Sequence, residues 1–199
     1  MVFNSSLPFQ INFEKMDAFF FDFDGVLVDS TELKTKAYQE IFHPFGTEAV
    51  EIITDYHLEN GGVDRYRKIK YVLERIQVNA SLTNTLAEQF ASLVKEKVKA
   101  APAIPGIIEL VRGLNEKRIP LYVVSGTPEK ELQEIVIAKK WDSYFVKVEG
   151  SPRLKSEIVK TILEEKGYNP LRCIFVGDAV TDYKTALESN FWYLGVPRL

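Results

Sequence analysis

Cysteine is almost missing from this chain: Cys173 stands alone among 199 residues. That excludes an intramolecular disulfide and fits a reducing compartment. Cys173 runs directly into Ile174-Phe175-Val176, which marks it as a small buried side chain and not as a nucleophile. Histidine is nearly as scarce, with only His43 and His57. A serine hydrolase built on Ser125 needs a histidine base beside it, and neither histidine falls in the segments expected to form the core. Apolar runs long enough to span a bilayer are absent, and residues 1–16 lack the basic start and apolar centre of a signal peptide. The expected compartment is the cytoplasm. An excess of positive charge is missing too. A formal net charge of −3 gives no footprint for nucleic acid, so an anionic substrate must be held by a few local cations and a metal. The expected partner is a small molecule, with no nucleic acid and no membrane, and the chain is expected to be a monomer or dimer.

What is present is an alternation of strand and helix. Ala18–Asp22, Leu121–Ser125, Tyr144–Val148, Cys173–Gly177 and Phe191–Leu194 are short apolar segments rich in β-branched and aromatic residues, and read as strands. Between them, Ile107, Leu110, Val111 and Leu114 fall at helical spacing, as do Leu132, Ile135 and Val136, and then Ile158, Val159, Ile162 and Leu163. This pattern predicts an α/β fold with a mostly parallel sheet covered by helices on both faces. Thr31–Ala100 breaks the rhythm, with amphipathic stretches such as Ile69–Ile76 and Leu86–Val98 and no strand. Such a segment is too long for a plain crossover. The expected division is a core of residues 1–30 and 101–199, with residues 31–100 as a helical subdomain. Ala101-Pro102-Ala103-Ile104-Pro105-Gly106 reads as the return linker, its prolines and glycine stopping helix and stiffening the joint.

The chemistry gathers at the strand ends. Phe19-Phe20-Phe21-Asp22-Phe23-Asp24-Gly25 ends an apolar run in two carboxylates two residues apart. A buried strand has no structural need for them, and the carboxyl ends of such strands are where open α/β sheets bind ligands. Two carboxylates there can hold a divalent cation, and one can attack an electrophile while the other manages protons. Ser125-Gly126-Thr127 offers hydroxyls and backbone N–H groups for phosphate oxygens, although the same triplet is ordinary turn chemistry. Lys155 follows the third strand and could supply a fixed cation, with Arg153 a rival by position. Cys173–Val176 runs into Gly177-Asp178-Ala179-Val180-Thr181-Asp182, another strand ending in acids. Helix capping could explain either acid alone, but not acid, hydroxyl, cation and acid on four strand ends together.

The four ordered motifs resemble those of the haloacid dehalogenase-like hydrolases, a superfamily dominated by magnesium-dependent phosphatases. The resemblance covers nearly the whole chain. It implies a Rossmann-like core in which Asp22 is the nucleophile, forming an aspartyl-phosphate, and Asp24 the acid and base. It also implies that Lys155, rather than Arg153, neutralises charge and that Ser125, Gly126 and Thr127 cradle phosphate. Mg²⁺ would lie between Asp22, Asp178 and the backbone carbonyl of Asp24, with Asp182 in support. The dehalogenases proper lack the acid that Asp24 supplies, which disfavours carbon–halogen cleavage.

The insertion after the first motif is similar to the C1-type cap of the phosphoglycolate phosphatase-like and β-phosphoglucomutase-like members. Within it, Gly61-Gly62-Val63-Asp64-Arg65-Tyr66-Arg67-Lys68 places two glycines before a basic helix. A solvated helix face is the plainer expectation. The other is a specificity element closing over the core. Gly62-Val63-Asp64-Arg65 resembles a β-phosphoglucomutase stretch whose arginine binds the non-transferring phosphate, so Arg65 is the first choice among Arg65, Arg67 and Lys68. Mutases of that kind have a histidine where this chain has Lys34. The expected activity is therefore hydrolysis of a small phosphomonoester, a sugar phosphate or phosphoglycolate-like acid. A phosphomutase and a non-catalytic phosphate-binding regulator are the alternatives.

Overall fold

The computed structural model describes residues 13–197. The expectation for residues 1–16 and the start of the segment 1–30 thus lie, up to residue 12, outside the described residues. Five strands form one parallel sheet: β1 (Ala18–Phe21), β2 (Leu121–Pro128), β3 (Lys147–Ser151), β4 (Cys173–Gly177) and β5 (Trp192–Gly195), in the order β3-β2-β1-β4-β5. Strand β1 is central, pairing Phe20 with Tyr122 on one side and with Phe175 on the other. The chain leaves β1 towards β2 and later returns to its other flank as β4. The switch point of the topology therefore lies at the carboxyl end of β1.

All four residues of β1 are apolar because both sheet faces are covered. Phe19 and Phe21 pack with the residues of α5 (Ile107–Glu116) and α6 (Glu129–Ala138) on one face. Ala18 and Phe20 point the other way, towards α7 (Lys155–Lys166) and α8 (Val180–Glu188). Each expected helical stripe is buried: Ile107 and Val111, Leu132 and Ile135, Ile158 and Ile162.

One strand is displaced from its expected place. Tyr144 closes a 3₁₀ turn at Asp142–Tyr144, and the third strand begins at Lys147 instead. Phe145 turns inward, edge-on to Phe21, in the core on the face covered by α5 and α6. Edge strand β3 pairs only with β2 and tolerates Lys147 and Glu149, whose charges hid it from a search for apolar segments. Strand β2 also runs further than expected, to Pro128, with an irregularity between Val124 and Pro128.

Between β1 and β2 the chain forms α1 (Thr31–Phe42), α2 (Thr47–Glu59), α3 (Arg65–Arg75) and α4 (Thr83–Ala100), which pack on one another as the expected helical insertion. Its two connections run side by side. Asp29 N donates to Pro102 O at 3.0 Å and Ile104 N to Leu27 O at 3.2 Å. Among the described residues, no helix is long and apolar enough to cross a membrane.

Candidate active site

Asp22 follows directly on β1, and its backbone N–H still donates to Val176 O at 2.9 Å, so the central strand aims it at the switch point. Its carboxylate is buried, accepts from Phe23 N at 2.7 Å, and lies 2.8 Å from Lys155 Nζ. Lys155, at the first position of α7, also donates to Asp182 Oδ1 at 2.6 Å. The other Asp182 oxygen accepts from Ala179 N at 3.1 Å. Asp182 is 0% exposed. It thus ties the opening turn of α8 to the lysine that holds Asp22.

Carboxylate oxygens of Asp22, Asp178 and Asp182 lie within 4.8 Å of one another. Burial pushes the Asp22 carboxyl up to about 8. Lys155 opposes that rise, while Asp182, Asp178 and Asp24 add to it. Burial alone would lower Lys155, but Asp182 and Asp22 outweigh it and hold the ammonium well above its ordinary value. A crowd of buried oxygens with surplus negative charge suits a small hard dication, whose own charge would reverse the rise at Asp22. Gly25 makes room for the arrangement. Its φ is +76°, and a Cβ there would stand 2.6 Å from Asp178 Oδ2.

Asp24 faces away from that cluster. Its Oδ2 accepts from Lys34 Nζ at 2.6 Å and from Thr127 Oγ1 at 2.9 Å, and its Oδ1 from Ser30 Oγ at 2.6 Å. Burial favours the neutral acid, but the Lys34 ammonium and these hydrogen bonds outweigh it and hold Asp24 at about 2. Ser125 is buried beside this group, its Oγ accepting from Thr127 N at 3.1 Å. Gly126 touches the cap, and a Cβ on it would come within 2.6 Å of Gly62 O. Gly62 N in turn donates to Thr181 Oγ1 at 3.1 Å, at the start of α8.

Helix α3 is only half the solvated face expected of it. Arg67 and Lys70 lie outward, but Arg65 and Lys68 are buried. Arg65 reaches across to α6, where it donates to Glu131 Oε1 at 2.7 Å, and it lies 5.0 Å from the centre of the Phe90 ring. The arginine expected to face substrate is therefore already paired with a core carboxylate. Lys34 is the residue that sequence reasoning passed over. It was noted only for standing where a mutase has histidine, and the signal available was a lysine at helical spacing, which more often faces water. Ser125 and His57 line one cavity, but His57 is hydrogen-bonded to Lys68 and not to the serine.

Carboxylates, hydroxyls and an ammonium converge on the switch point of a doubly wound sheet, beneath a helical insertion that closes over them. That is the construction of an α/β enzyme whose pocket lies between a core and a lid. The chain belongs to the haloacid dehalogenase-like hydrolases, whose family model matches residues 19–196. It is 26% identical to the phosphorylated carbohydrates phosphatase of Thermotoga maritima, over 88% of this chain and 82% of that protein. It is 22% identical to the phosphoglycolate phosphatase of Synechococcus elongatus, over 87% of this chain and 80% of that one. The β-phosphoglucomutase structure from Clostridium difficile shares the fold, with a TM-score of 0.76 at 19% identity, covering 90% of this chain and 84% of that one.

Proposed function

We propose that this hydrolase is a Mg²⁺-dependent phosphatase that cleaves a small phosphomonoester through an aspartyl-phosphate on Asp22. The observation that carries the reading is Asp22 itself, a buried carboxylate at the central switch point, gripped by Lys155 and crowded by Asp178 and Asp182. Asp22, Asp178 and the backbone carbonyl of Asp24 would hold Mg²⁺, and the ion would offset the repulsion between nucleophile and phosphate. Asp182, with both oxygens engaged, positions Lys155.

Asp22 forms the new bond to phosphorus as the bond to the ester oxygen breaks, and Asp24 gives that oxygen a proton. Because Lys34 keeps the resting Asp24 ionised, the proton arrives with the substrate, whose second phosphate ionisation lies near pH 6. Asp24 then takes a proton from the water that attacks the aspartyl-phosphate. Ser125 and Gly126 hold phosphate oxygens, while Thr127, whose hydroxyl donates to Asp24 and whose N–H donates to Ser125 Oγ, fixes the acid and the cradle instead of holding phosphate itself. Residues 1–30 and 101–199 act as the core domain and residues 31–100 as the cap. The relatives support a sugar phosphate or a phosphoglycolate-like acid as substrate, and the lone cysteine fits work in the reducing cytoplasm.

The test is Mg²⁺-dependent release of inorganic phosphate from a panel of sugar phosphates, phosphoglycolate, nucleotides and an aryl phosphate. Release should stop with EDTA and in Asp22→Asn. Interconversion of sugar phosphates without phosphate loss would make the protein a mutase. Metal binding without turnover of any ester would make it a binding protein.

A further inference from the structure

Three buried cations line the narrow cavity, about 30 Å³ in volume, that also contains Asp22 and Asp24. Two have carboxylate partners: Lys34 has Asp24 and Arg65 has Glu131. Lys68 has none among the described residues. Only 1% exposed, it donates to His57 Nδ1 at 2.8 Å and to Gly61 O at 3.2 Å.

His57 cannot supply the missing charge. Burial first, and then the Lys68 and Lys34 ammonium groups, bring it down to about 3. The ring is neutral and accepts at Nδ1, and its Nε2 is buried without a hydrogen-bond partner. A buried ammonium whose hydrogen bonds go only to neutral acceptors is costly unless an anion joins it. Burial and then the nearby Lys34 ammonium bring Lys68 down to about 7, and the more weakly acting Asp24 and Asp22 carboxylates, which pull it back up, do not offset them.

We propose that Lys68, backed by His57, is the specificity element of the cap and binds a carboxylate on the leaving group of the substrate. This rests on the phosphatase reading and narrows it. An ammonium hydrogen-bonded only to neutral groups calls for an anionic partner, which favours a phosphorylated carboxylic acid over a sugar phosphate with a neutral leaving group. Asp22 and Lys68 line the same cavity, one from the end of β1 and the other from α3 of the insertion, so a short acid engages both.

The test compares phosphoglycolate with ethyl phosphate, which has the same chain length and no carboxylate, using the Mg²⁺-loaded enzyme. The wild type should favour phosphoglycolate in kcat/KM. Lys68→Met should reduce that preference by about 10- to 100-fold, mainly through KM, the size expected for one charge-assisted hydrogen bond. A preference unchanged in Lys68→Met overturns the proposal. If that variant does not fold, the wild type decides: equal rates, or a preference for ethyl phosphate, overturn it. If no ester at all is hydrolysed, the phosphatase reading fails by itself. Calorimetric titration of phosphoglycolate into the Mg²⁺-loaded wild type and Lys68→Met then judges the site. Tighter binding by the wild type supports the Lys68 assignment, and equal binding overturns it.

Discussion

Replacing Lys34 by methionine removes an ammonium 2.6 Å from Asp24 Oδ2 and 2.9 Å from Thr127 Oγ1. The Asp24 side chain is only 19% exposed, so solvent screens the pair weakly. In the wild type, Asp24 is held at about 2 against an ordinary 3.8. The folded state therefore releases this proton before the unfolded chain does. The resulting stability is present above the unfolded value and is lost as pH falls through the folded one. It amounts to about 2.5 kcal/mol at pH 7, about 1.3 kcal/mol at pH 3 and less than about 0.5 kcal/mol at pH 2. Lys34 is the largest of the contacts that oppose burial, ahead of Ser30 and Thr127, so Lys34→Met should lower stability by about 2 to 3 kcal/mol at pH 7 and by clearly less at pH 3. Urea unfolding at the two values measures this directly. In an Asp24→Asn background the same replacement should cost far less, because no carboxylate is left to stabilise. A loss that is equal at both pH values, or undiminished in the Asp24→Asn background, would refute the claim that Lys34 acts through Asp24.

Other predictions concern the cation cluster and the closed cap. In metal-free protein, Asp22 is raised from 3.8 to about 8, so its contribution is full below pH 4 and is lost as pH rises towards 8. Relative to Asp22→Asn, the wild type should lose stability over that window in EDTA and regain it with Mg²⁺. Identical urea curves with and without Mg²⁺ at pH 8 would contradict the metal site. Arg65→Met leaves Glu131, whose side chain is 12% exposed, without its partner. It should cost about 3 kcal/mol and raise KM for all esters alike, whereas a change in their ranking would put Arg65 on the substrate. Gly126→Ala places a methyl 2.6 Å from Gly62 O. It should hold the cap loop off the core and lower kcat/KM roughly ten- to hundredfold, and unimpaired steady-state kinetics would show that this contact is not needed for closure.

Strand-end chemistry was legible because it is local. An apolar run ending in Asp22 or Asp178 is a contrast between neighbours in the chain, and the same local contrast located Ser125. The length of Thr31–Ala100 announced an insertion before any helix in it was placed. Strand β3 was misplaced because an edge strand buries too little to need an apolar sequence. Helix α3 was half misread because its basic residues divide between two faces, and nothing in their order tells which pair turns inward.

The sequence by itself determined the parallel α/β core, the helical insertion, and the acids, hydroxyl and lysine at the strand ends. These follow from periodicity and from residue types that a buried strand would otherwise exclude. Only the tertiary structure decided which charges neutralise one another. Arg65 meets Glu131 across 66 positions, and Lys155 meets Asp182 across 27. The strength of such pairs depends on burial and on distances of a few ångströms, set by how the insertion packs over the sheet. That packing left Lys68 buried with a neutral histidine while it paired Arg65 with a carboxylate of the core.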